Sequence, residues 1–297
     1  ANMVIGVATP MVAYVVVDGK TVMSGSRMTI IAGVFSICAI LCYIVCFKLT
    51  RERVEVPASS QKVSASAIFK SIFTNRALLG IIVAAIFVLL SQLTVMSLAG
   101  YVYPNVYGSA AAQSTASLLG TVVMLIVCAP FASKLAAKFG KKELAVASSI
   151  CSALVWLVCL IWRPASVWGF VACYILANIG MGFFNTIIWA MITDVIDDAE
   201  VRSGIREDGT IYSVYSFARK LGQAFSSGLV GALLGIIGYT EATAFDPAVT
   251  RGIFNMACIA PIIGFVCIVL ALVFLYPLNK KKVEENVAAL AARRNSK

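Results

Sequence analysis

Residues 77–133 read ALLGIIVAAIFVLLSQLTVMSLAGYVYPNVYGSAAAQSTASLLGTVVMLIVCAPFAS, a stretch without a single charged side chain. A helix needs about 20 apolar residues to cross the roughly 30 Å hydrocarbon core of a bilayer. The stretch is too long for one crossing, and Pro104, Asn105 and Gly108 in YVYPNVYG are helix breakers. We therefore predict two transmembrane helices joined by a short connection at this motif.

The rest of the chain is similarly apolar. Of its 297 residues 60% are hydrophobic and 13% are charged, with a mean hydropathy of +0.92, whereas soluble domains carry about 25% charged residues. This composition predicts an all-α polytopic membrane protein. The predicted spans are approximately 1–17, 28–47, 77–99, 110–133, 144–162, 167–193, 211–238 and 253–276.

The positions of Lys and Arg predict the orientation of these spans. Loops 48–76, 134–143 and 194–210, with the tail 280–297, hold 18 of the 24 basic residues. Basic loops stay on the cytoplasmic side, so both ends of this chain are predicted to be cytoplasmic. The basic residues behind the net charge of +10 then serve to orient the spans in the membrane. We expect no nucleic acid partner.

The segments outside the spans differ in character. We interpret 48–76 as a cytoplasmic linker in which Ile68, Phe69, Ile72 and Phe73 give a short helix lying on the membrane surface; a disordered linker is the alternative. The tail 280–297 reads as a solvated, partly helical end. The chain opens without an initiator Met and its first span is short by a turn, so we expect it to begin inside a longer protein.

The sequence argues against an enzyme or a metal centre. It contains no His, and its nine Cys lie inside apolar runs without a C-x-x-C pair. General acid–base catalysis favours His or paired carboxylates in a cavity, and zinc sites need clustered Cys or His. We predict no catalytic residues, no metal site, no disulfide framework and no cofactor other than a coupling cation.

Two basic residues interrupt an apolar span in YSVYSFARKLGQAF, residues 212–225. Lys220 lies roughly 14 Å from the cytoplasmic end of the span at about 1.5 Å per residue, a depth at which charges normally face a bundle interior. Ser213, Ser216, Lys220, Gln223 and Ser227 follow steps of 3 and 4 and form one polar stripe. We interpret this stripe as lining a cavity; a lysine that snorkels to the interface is the alternative.

Arg219 points about 100° away from Lys220 on a helix. We expect it to pair with the acids that precede this span, as a cytoplasmic gate or as a structural tie. Those acids are Asp194, Asp197, Asp198 and Glu200.

Polar groups also occur in the span 167–193. Asn178, Asn185, Thr186 and Trp189 either form hydrogen bonds between helices or contact a ligand. Asn185 and Trp189 lie at i and i+4 on one face. An aromatic ring beside hydrogen-bonding groups suits a sugar, whose C–H face stacks while its hydroxyls bond.

The segment 194–225 reads DVIDDAEVRSGIREDGTIYSVYSFARKLGQAF. It resembles the signature of the glycoside–pentoside–hexuronide:cation symporter family. This is the melibiose permease branch of the major facilitator superfamily. FKLTRERV at 47–54 and KLAAKFGKKEL at 134–144 extend the resemblance. Asp198 stands where the family usually has Tyr, and Ala137 where the superfamily often has Asp. The positions that match are Asp194, Asp197, Glu200, Gly204, Arg206, Gly209, Lys220 and Gly222, with Trp189 fitting upstream.

The resemblance implies a twelve-helix transporter whose helices five to twelve correspond to the eight spans. Residues 1–47 would be the last two helices of the N-terminal bundle, and residues 77–279 a six-helix C-terminal bundle. It further implies a plasma-membrane symporter that couples Na⁺ or H⁺ to a sugar or glycoside by alternating access. The carboxylates that Lys220 would face belong, by the resemblance, to helices one to four.

The residues predicted to carry this function form two groups. Lys220, Trp189, Asn185 and Gln223 would contact the substrate or couple the cation, and Asp194, Asp197, Glu200, Arg206 and Arg219 would form the cytoplasmic gate. The expected partners are a small sugar, a monovalent cation and the lipid bilayer. A facilitator or exporter of another solute, and a membrane sensor that does not transport, are the alternatives.

Overall fold

The computed structural model of the protein describes residues 14–17, 20–23, 25–50 and 75–295. The chain divides into two compact units, Ala1–Lys62 and Val63–Lys297, here called the N-terminal and C-terminal units. The division falls within the predicted linker 48–76, and the predicted surface helix of that linker lies outside the described residues. The assignment of the two units to bundles of a twelve-helix transporter stays a prediction.

The N-terminal unit contains a hairpin and one long helix. Strands β1 (Tyr14–Val17) and β2 (Lys20–Met23) pair antiparallel, with Tyr14 opposite Met23. Most of the predicted span 1–17 lies outside the described residues, but its last four residues form a strand, so the helix prediction is wrong there. The β-branched run Val15–Val17 favours a strand, and the Asp-Gly dipeptide that follows it is one that hairpins favour.

Helix α1 (Gly25–Leu49) confirms the predicted span 28–47 and extends it by a few residues. Its 25 residues are about 37 Å long at 1.5 Å per residue, enough to cross a bilayer. No residue of α1 is buried, so its apolar side chains are all available to lipid or to other helices.

The described part of the C-terminal unit consists of helices joined by short connections. Its helices are α2 (Arg76–Tyr101), α3 (Ala110–Val123), α4 (Ala129–Phe139), α5 (Lys141–Trp162), α6 (Val167–Ser203), α7 (Asp208–Ile236), α8 (Pro247–Leu270) and α9 (Lys280–Asn295). Three π-helical segments continue them, namely Val102–Val106 after α2, Met124–Cys128 between α3 and α4, and Ala271–Leu275 after α8. The predicted break at YVYPNVYG is confirmed, since the chain leaves the helix at Tyr107 and Gly108.

Within the described part of the chain, six helical stretches combine the length and hydropathy of a membrane crossing: Gly25–Leu49, Arg76–Val106, Ala112–Phe139, Lys141–Trp162, Val167–Ser203 and Pro247–Leu275. Helix α7 has 29 residues, also long enough to cross, but Arg219, Lys220 and Gln223 lower its hydropathy. It coincides with the predicted span 211–238. The structure therefore confirms a helical polytopic membrane protein.

Two predicted loops are largely helical. The prediction of a loop at 134–143 is wrong except at Gly140, because α4 runs to Phe139 and α5 begins at Lys141. Gly140 has φ 107°, a conformation that glycine tolerates and other residues avoid. Helix α6 runs ten residues beyond the predicted span, from 193 to Ser203, so the acidic residues 194–200 lie on its last turns rather than in a loop.

The tail is more buried than predicted. Helix α9 packs against the C-terminal end of α6, and Asn286 and Leu290 are only 3% and 5% exposed. The prediction of a helix is confirmed, whereas that of a solvated end is wrong for this face of α9. The buried face explains why the helix persists in a segment with five basic residues at 280–282, 293 and 294.

Helix α2 packs against both α7 and α8, and α6 packs against both α5 and α3. Gly222 allows a close approach of α7 to α2, since a Cβ there would lie 2.8 Å from the carbonyl oxygen of Ile86.

Candidate functional site

Helix α6 carries a row of polar and aromatic side chains along one face. Tyr174, Asn178, Asn185 and Trp189 follow steps of 4, 7 and 4, which keeps them on one side of a helix with 3.6 residues per turn. Asn178 Nδ2 donates to the Tyr174 carbonyl at 2.7 Å, one turn earlier. The row lies inside the span Val167–Ser203, so these side chains are presented at membrane depth.

A groove adjoins this row between α2, α3 and α6. Its volume is about 250 Å³ and its wall carries amides, hydroxyls and methionine side chains. Asn185 Nδ2 donates across the groove to Gln92 Oε1 on α2, at 3.5 Å. The polar residues of its wall are Gln92, Ser117, Thr121, Tyr174, Asn178 and Asn185.

Sequence reasoning missed Gln92 in this groove. The signal was present, because Gln92 is the single carboxamide of the apolar span 77–99, and an isolated amide in such a span needs a polar neighbour. Periodicity could not identify that neighbour, because it lies on another helix.

Trp189, Tyr215 and Arg219 form a cluster that joins α6 to α7. The Trp189 and Tyr215 rings meet edge to face, with centroids 5.5 Å apart and an interplanar angle of 73°. The guanidinium carbon of Arg219 lies 5.5 Å from the Trp189 centroid and 5.8 Å from the Tyr215 centroid, within reach of cation–π attraction. Arg219 Nη1 also donates to the Tyr215 hydroxyl at 3.3 Å.

This cluster corrects the predicted partners of Arg219. The expected ion pair with the acids of α6 is not the contact that Arg219 makes. Tyr215 lies one turn earlier on the same face of α7, and Trp189 lies opposite on α6. The guanidinium of Arg219 therefore contacts these two aromatic rings rather than a carboxylate. The four acids have other partners, described below.

Lys220 lies on the open face of α7. The buried face of the helix comprises Ile211, Tyr215, Ala218, Gly222, Ser226 and Val230. Lys220 and the serines of the predicted stripe are exposed instead, so the stripe does not pack against the described part of the C-terminal unit. Lys220 Nζ donates to Gln223 Oε1 at 3.1 Å, which joins two predicted site residues.

The acidic end of α6 forms an ion network with Lys141, Arg202 and Arg206. Asp194 accepts from Lys141 Nζ at 2.6 Å, and Asp198 pairs with Arg202 and accepts from Asn286 Nδ2 at 3.1 Å. Sequence reasoning missed Lys141 and Asn286, which come from α5 and α9. The network ties the ends of three helices together on the side predicted to be cytoplasmic.

Arg206 is the centre of the second half of this network. Its guanidinium contacts Asp197 at 3.0 Å, Glu200 at 2.8 Å and Asp208 at 2.8 Å. The hydrogen bond to Glu200 contributes most to raising the pKa of Arg206 above its ordinary value; partial burial opposes it, and the bonds to Asp197 and Asp208 add to it. Arg206 thus contacts Asp197 and Glu200, and all three are predicted members of the gate; their role as a gate stays a prediction.

The predicted site residues therefore fall into separate groups. Asn185 lies in the groove, Trp189 with Arg219 in the aromatic cluster, Lys220 with Gln223 on the open face, and the acids with Arg206 in the ion network. Among the residues that the structure describes, no hydrogen bond or ring contact joins Lys220 to Trp189 or to Asn185.

Comparison with known proteins gives a consistent set of matches. The profile of the family described as MFS/sugar transport protein matches residues 1–280. The chain is 28% identical over 264 residues to the glucuronide carrier protein homolog of Escherichia coli (strain K12), covering 88% of this chain and 56% of the relative. It is 23% identical over 303 residues to the isoprimeverose transporter of Lactiplantibacillus pentosus, covering 97% and 62%.

A shorter match is to a protein described as an exporter. The chain is 31% identical over 159 residues to the putative 2,3-dihydroxypropane-1-sulfonate exporter of Escherichia coli (strain K12), covering 54% of this chain and 34% of the relative. The chain spans about half the length of the relatives that it matches over most of its own sequence.

Proposed function

The chain belongs to the MFS/sugar transport protein family, and from this we propose that it takes part in secondary active transport of a sugar or glycoside coupled to Na⁺ or H⁺. The family match confirms the resemblance indicated by the signature between Asp194 and Gly222. In transporters of this kind two helical bundles rock about a site near the bilayer midplane. We propose a plasma-membrane location with the basic segments on the cytoplasmic side.

The observation that carries the proposal is the polar and aromatic face of α6 at membrane depth. Polar side chains inside a span normally face a bundle interior or an aqueous path. Asn185 offers an amide to substrate hydroxyls, and Trp189 offers a ring against which the C–H face of a sugar can stack. Trp189 is 49% exposed, so part of its ring is accessible even with Arg219 beside it.

Lys220 is proposed to couple the cation site to the sugar site. It lies about 18 Å along α7 from Asp208 at 1.5 Å per residue, far from the helix ends. A protonated ammonium has three donors, and Gln223 accepts from one of them. The other two are proposed to meet carboxylates elsewhere in the full-length protein, so that binding of a cation there changes the field at the sugar.

The ion network is proposed to act as the cytoplasmic gate. Arg206 with Asp197 and Glu200 closes the end of α6 against the start of α7, and Lys141 with Asp194 ties α5 to the same end. Arg219 is proposed to position Trp189 rather than to join the gate, because its contacts are with that ring and with Tyr215.

The similarity to a putative sulfonate exporter favours one second candidate, export of another small solute on the same scaffold. The two functions differ in the direction in which an ion gradient drives the solute. The test uses the full-length protein in vesicles with an imposed Na⁺ or proton gradient and a panel of labelled glycosides.

Accumulation inside right-side-out vesicles that collapses when the gradient is dissipated is the expected result. Accumulation only in inside-out vesicles supports the exporter. Equilibration without accumulation under every gradient shows a facilitator, and binding without movement shows a sensor; either outcome overturns the proposal of symport.

A further inference from the structure

We propose that the groove between α2, α3 and α6 is a subsite for a neutral, hydroxylated sugar ring, bound by the carboxamides of Gln92, Asn178 and Asn185. The inference rests on the proposed function and deepens it, because it names the part of the substrate that the C-terminal unit recognises. The site is separate from Lys220 and Gln223, which lie on the open face of α7.

The carboxamides of the groove have more hydrogen-bonding capacity than the protein uses. Each carboxamide has two donors and one acceptor oxygen. Asn178 uses one donor on the Tyr174 carbonyl, and Asn185 uses one on Gln92 at 3.5 Å, the outer limit for such a bond. The two Nε2 donors of Gln92 and the Oδ1 acceptors of Asn178 and Asn185 have no further partner among the residues that the structure describes.

Helix packing alone does not account for this arrangement. Polar residues that join helices in lipid satisfy each other across the interface. Here three amides line an open groove, and the hydrogen bond that joins Asn185 to Gln92 is long, at 3.5 Å. Donors and acceptors left free at membrane depth indicate a ligand or water that supplies the missing bonds.

The lining of the groove specifies the kind of ligand. Its polar residues are amides and hydroxyls, and none of the residues that line it is charged. Three methionines, Met96, Met124 and Met181, supply adaptable apolar surface. Neutral donors and acceptors beside apolar surface suit a ring that carries several hydroxyls on a C–H framework, rather than a carboxylate or a phosphate.

The groove has room for one sugar ring. Its volume of about 250 Å³ falls just below the 300–1,000 Å³ typical of sites for drug-sized ligands. Gly182 forms part of the wall, and a Cβ there would lie 2.7 Å from Cys128 Sγ, so α6 approaches the π-helical segment Met124–Cys128 closely. Such segments are frequent at functional sites.

Along α6 the groove lies close to Trp189, the aromatic residue proposed to stack against the sugar. Asn185 is one turn from Trp189 on the same face of α6, and the row from Tyr174 to Trp189 is about 22 Å long at 1.5 Å per residue. A glycoside can therefore place one ring among the amides and its remaining part towards Trp189.

The test uses the full-length protein in vesicles and measures uptake of methyl β-D-glucopyranoside, methyl β-D-xylopyranoside and methyl β-D-glucuronide. The probe that accumulates best is then compared with its singly deoxygenated analogues in the wild type, Gln92→Leu and Asn178→Leu. Asn255→Leu is the matched control, because this amide on α8 accepts from Arg163 and is not part of the groove. If Gln92→Leu lowers the melting temperature, Gln92→Met replaces it.

Both groove variants are expected to raise the KM for uptake about three- to tenfold, because each loses about one neutral hydrogen bond to the sugar. The maximal rate should change little. In the wild type, removal of one particular sugar hydroxyl should raise the KM most. In the variant that lacks the side chain bonded to this hydroxyl, removing the same hydroxyl should raise the KM no further. Asn255→Leu should match the wild type. A groove variant with unchanged KM and an unchanged deoxygenation profile overturns the inference, whereas a wild type that neither binds nor moves any sugar overturns the proposed function itself.

Discussion

Arg219 holds its guanidinium carbon 5.5 Å from the centre of the Trp189 ring, and so links α7 to α6 by a cation–π contact. The contact joins a residue predicted to touch substrate with one predicted to pair with carboxylates. Lys220 is the next residue along α7, so the rotation of α7 that brings Arg219 onto Trp189 also sets the direction in which Lys220 points. The aromatic cluster is thus a structural determinant of the proposed coupling site.

Substitution of both members of this pair should reveal their coupling. We expect Trp189→Leu and Arg219→Leu each to lower the melting temperature, and the double variant to lower it by less than the sum. The coupling energy should be about 0.5–2 kcal/mol, the range of cation–π contacts. Thermal unfolding in detergent measures it. Lys282→Ala is the control, because Lys282 forms an exposed pair with Glu285 on another helix. Its effect on the melting temperature should add to that of Trp189→Leu. If the effects of Trp189→Leu and Arg219→Leu also add, the contact between these residues is refuted.

Gly222 and Gly228 provide a matched test of the packing of α7. A Cβ at Gly222 would lie 2.8 Å from the carbonyl oxygen and 3.2 Å from the Cα of Ile86, both of them backbone atoms that cannot rotate away, whereas a Cβ at Gly228 meets nothing within 4 Å. Gly222→Ala should therefore destabilise the protein by about 1–3 kcal/mol through overpacking. Gly228→Ala should have little effect. Equal melting temperatures for the two variants would contradict the close approach of α7 and α2.

Arg206→Gln should destabilise the C-terminal end of α6, because Asp197 and Glu200 lose their shared cation. The loss should shrink at high salt, which screens partly exposed charges. Since the pKa of Arg206 is raised, its contribution is present below the ordinary pKa of arginine and is lost only as the pH rises through the raised value. Thermal unfolding from neutral to mildly alkaline pH should therefore show a constant difference from the wild type. A difference that disappears within this range would rule out the assignment.

The hydropathy of the chain was sufficient to predict most of the helices. Spans such as 28–47 and 144–162 agree with α1 and α5 within a few residues, because a backbone in lipid must satisfy its own hydrogen bonds and does so as a helix. The end of α6 was misjudged because Asp194 and Asp197 read as a loop, although charges are compatible with a helix that leaves the membrane. The strand at Tyr14–Val17 was missed because a uniformly apolar run has no period to distinguish strand from helix.

The candidate site could be predicted only in part. The row Asn178, Asn185 and Trp189 follows from helical periodicity, and the association of Arg206 with Asp197 and Glu200 is local in sequence. Contacts between helices, such as Gln92 with Asn185, depend on how the helices cross, which no local pattern specifies. Arg219 shows the same limit: Tyr215 lies one turn away on α7, but only the packing of α6 and α7 brings the Trp189 ring to its guanidinium.

The most direct measurement of the central claim is gradient-driven uptake by Lys220→Ala in the full-length protein. The account predicts that the variant reaches the membrane in normal amounts but no longer accumulates sugar under an imposed cation gradient. Lys282→Ala, which also removes one lysine charge but from an exposed surface pair, should accumulate sugar as the wild type does. Normal accumulation by Lys220→Ala would contradict the claim that this lysine couples the cation to the sugar.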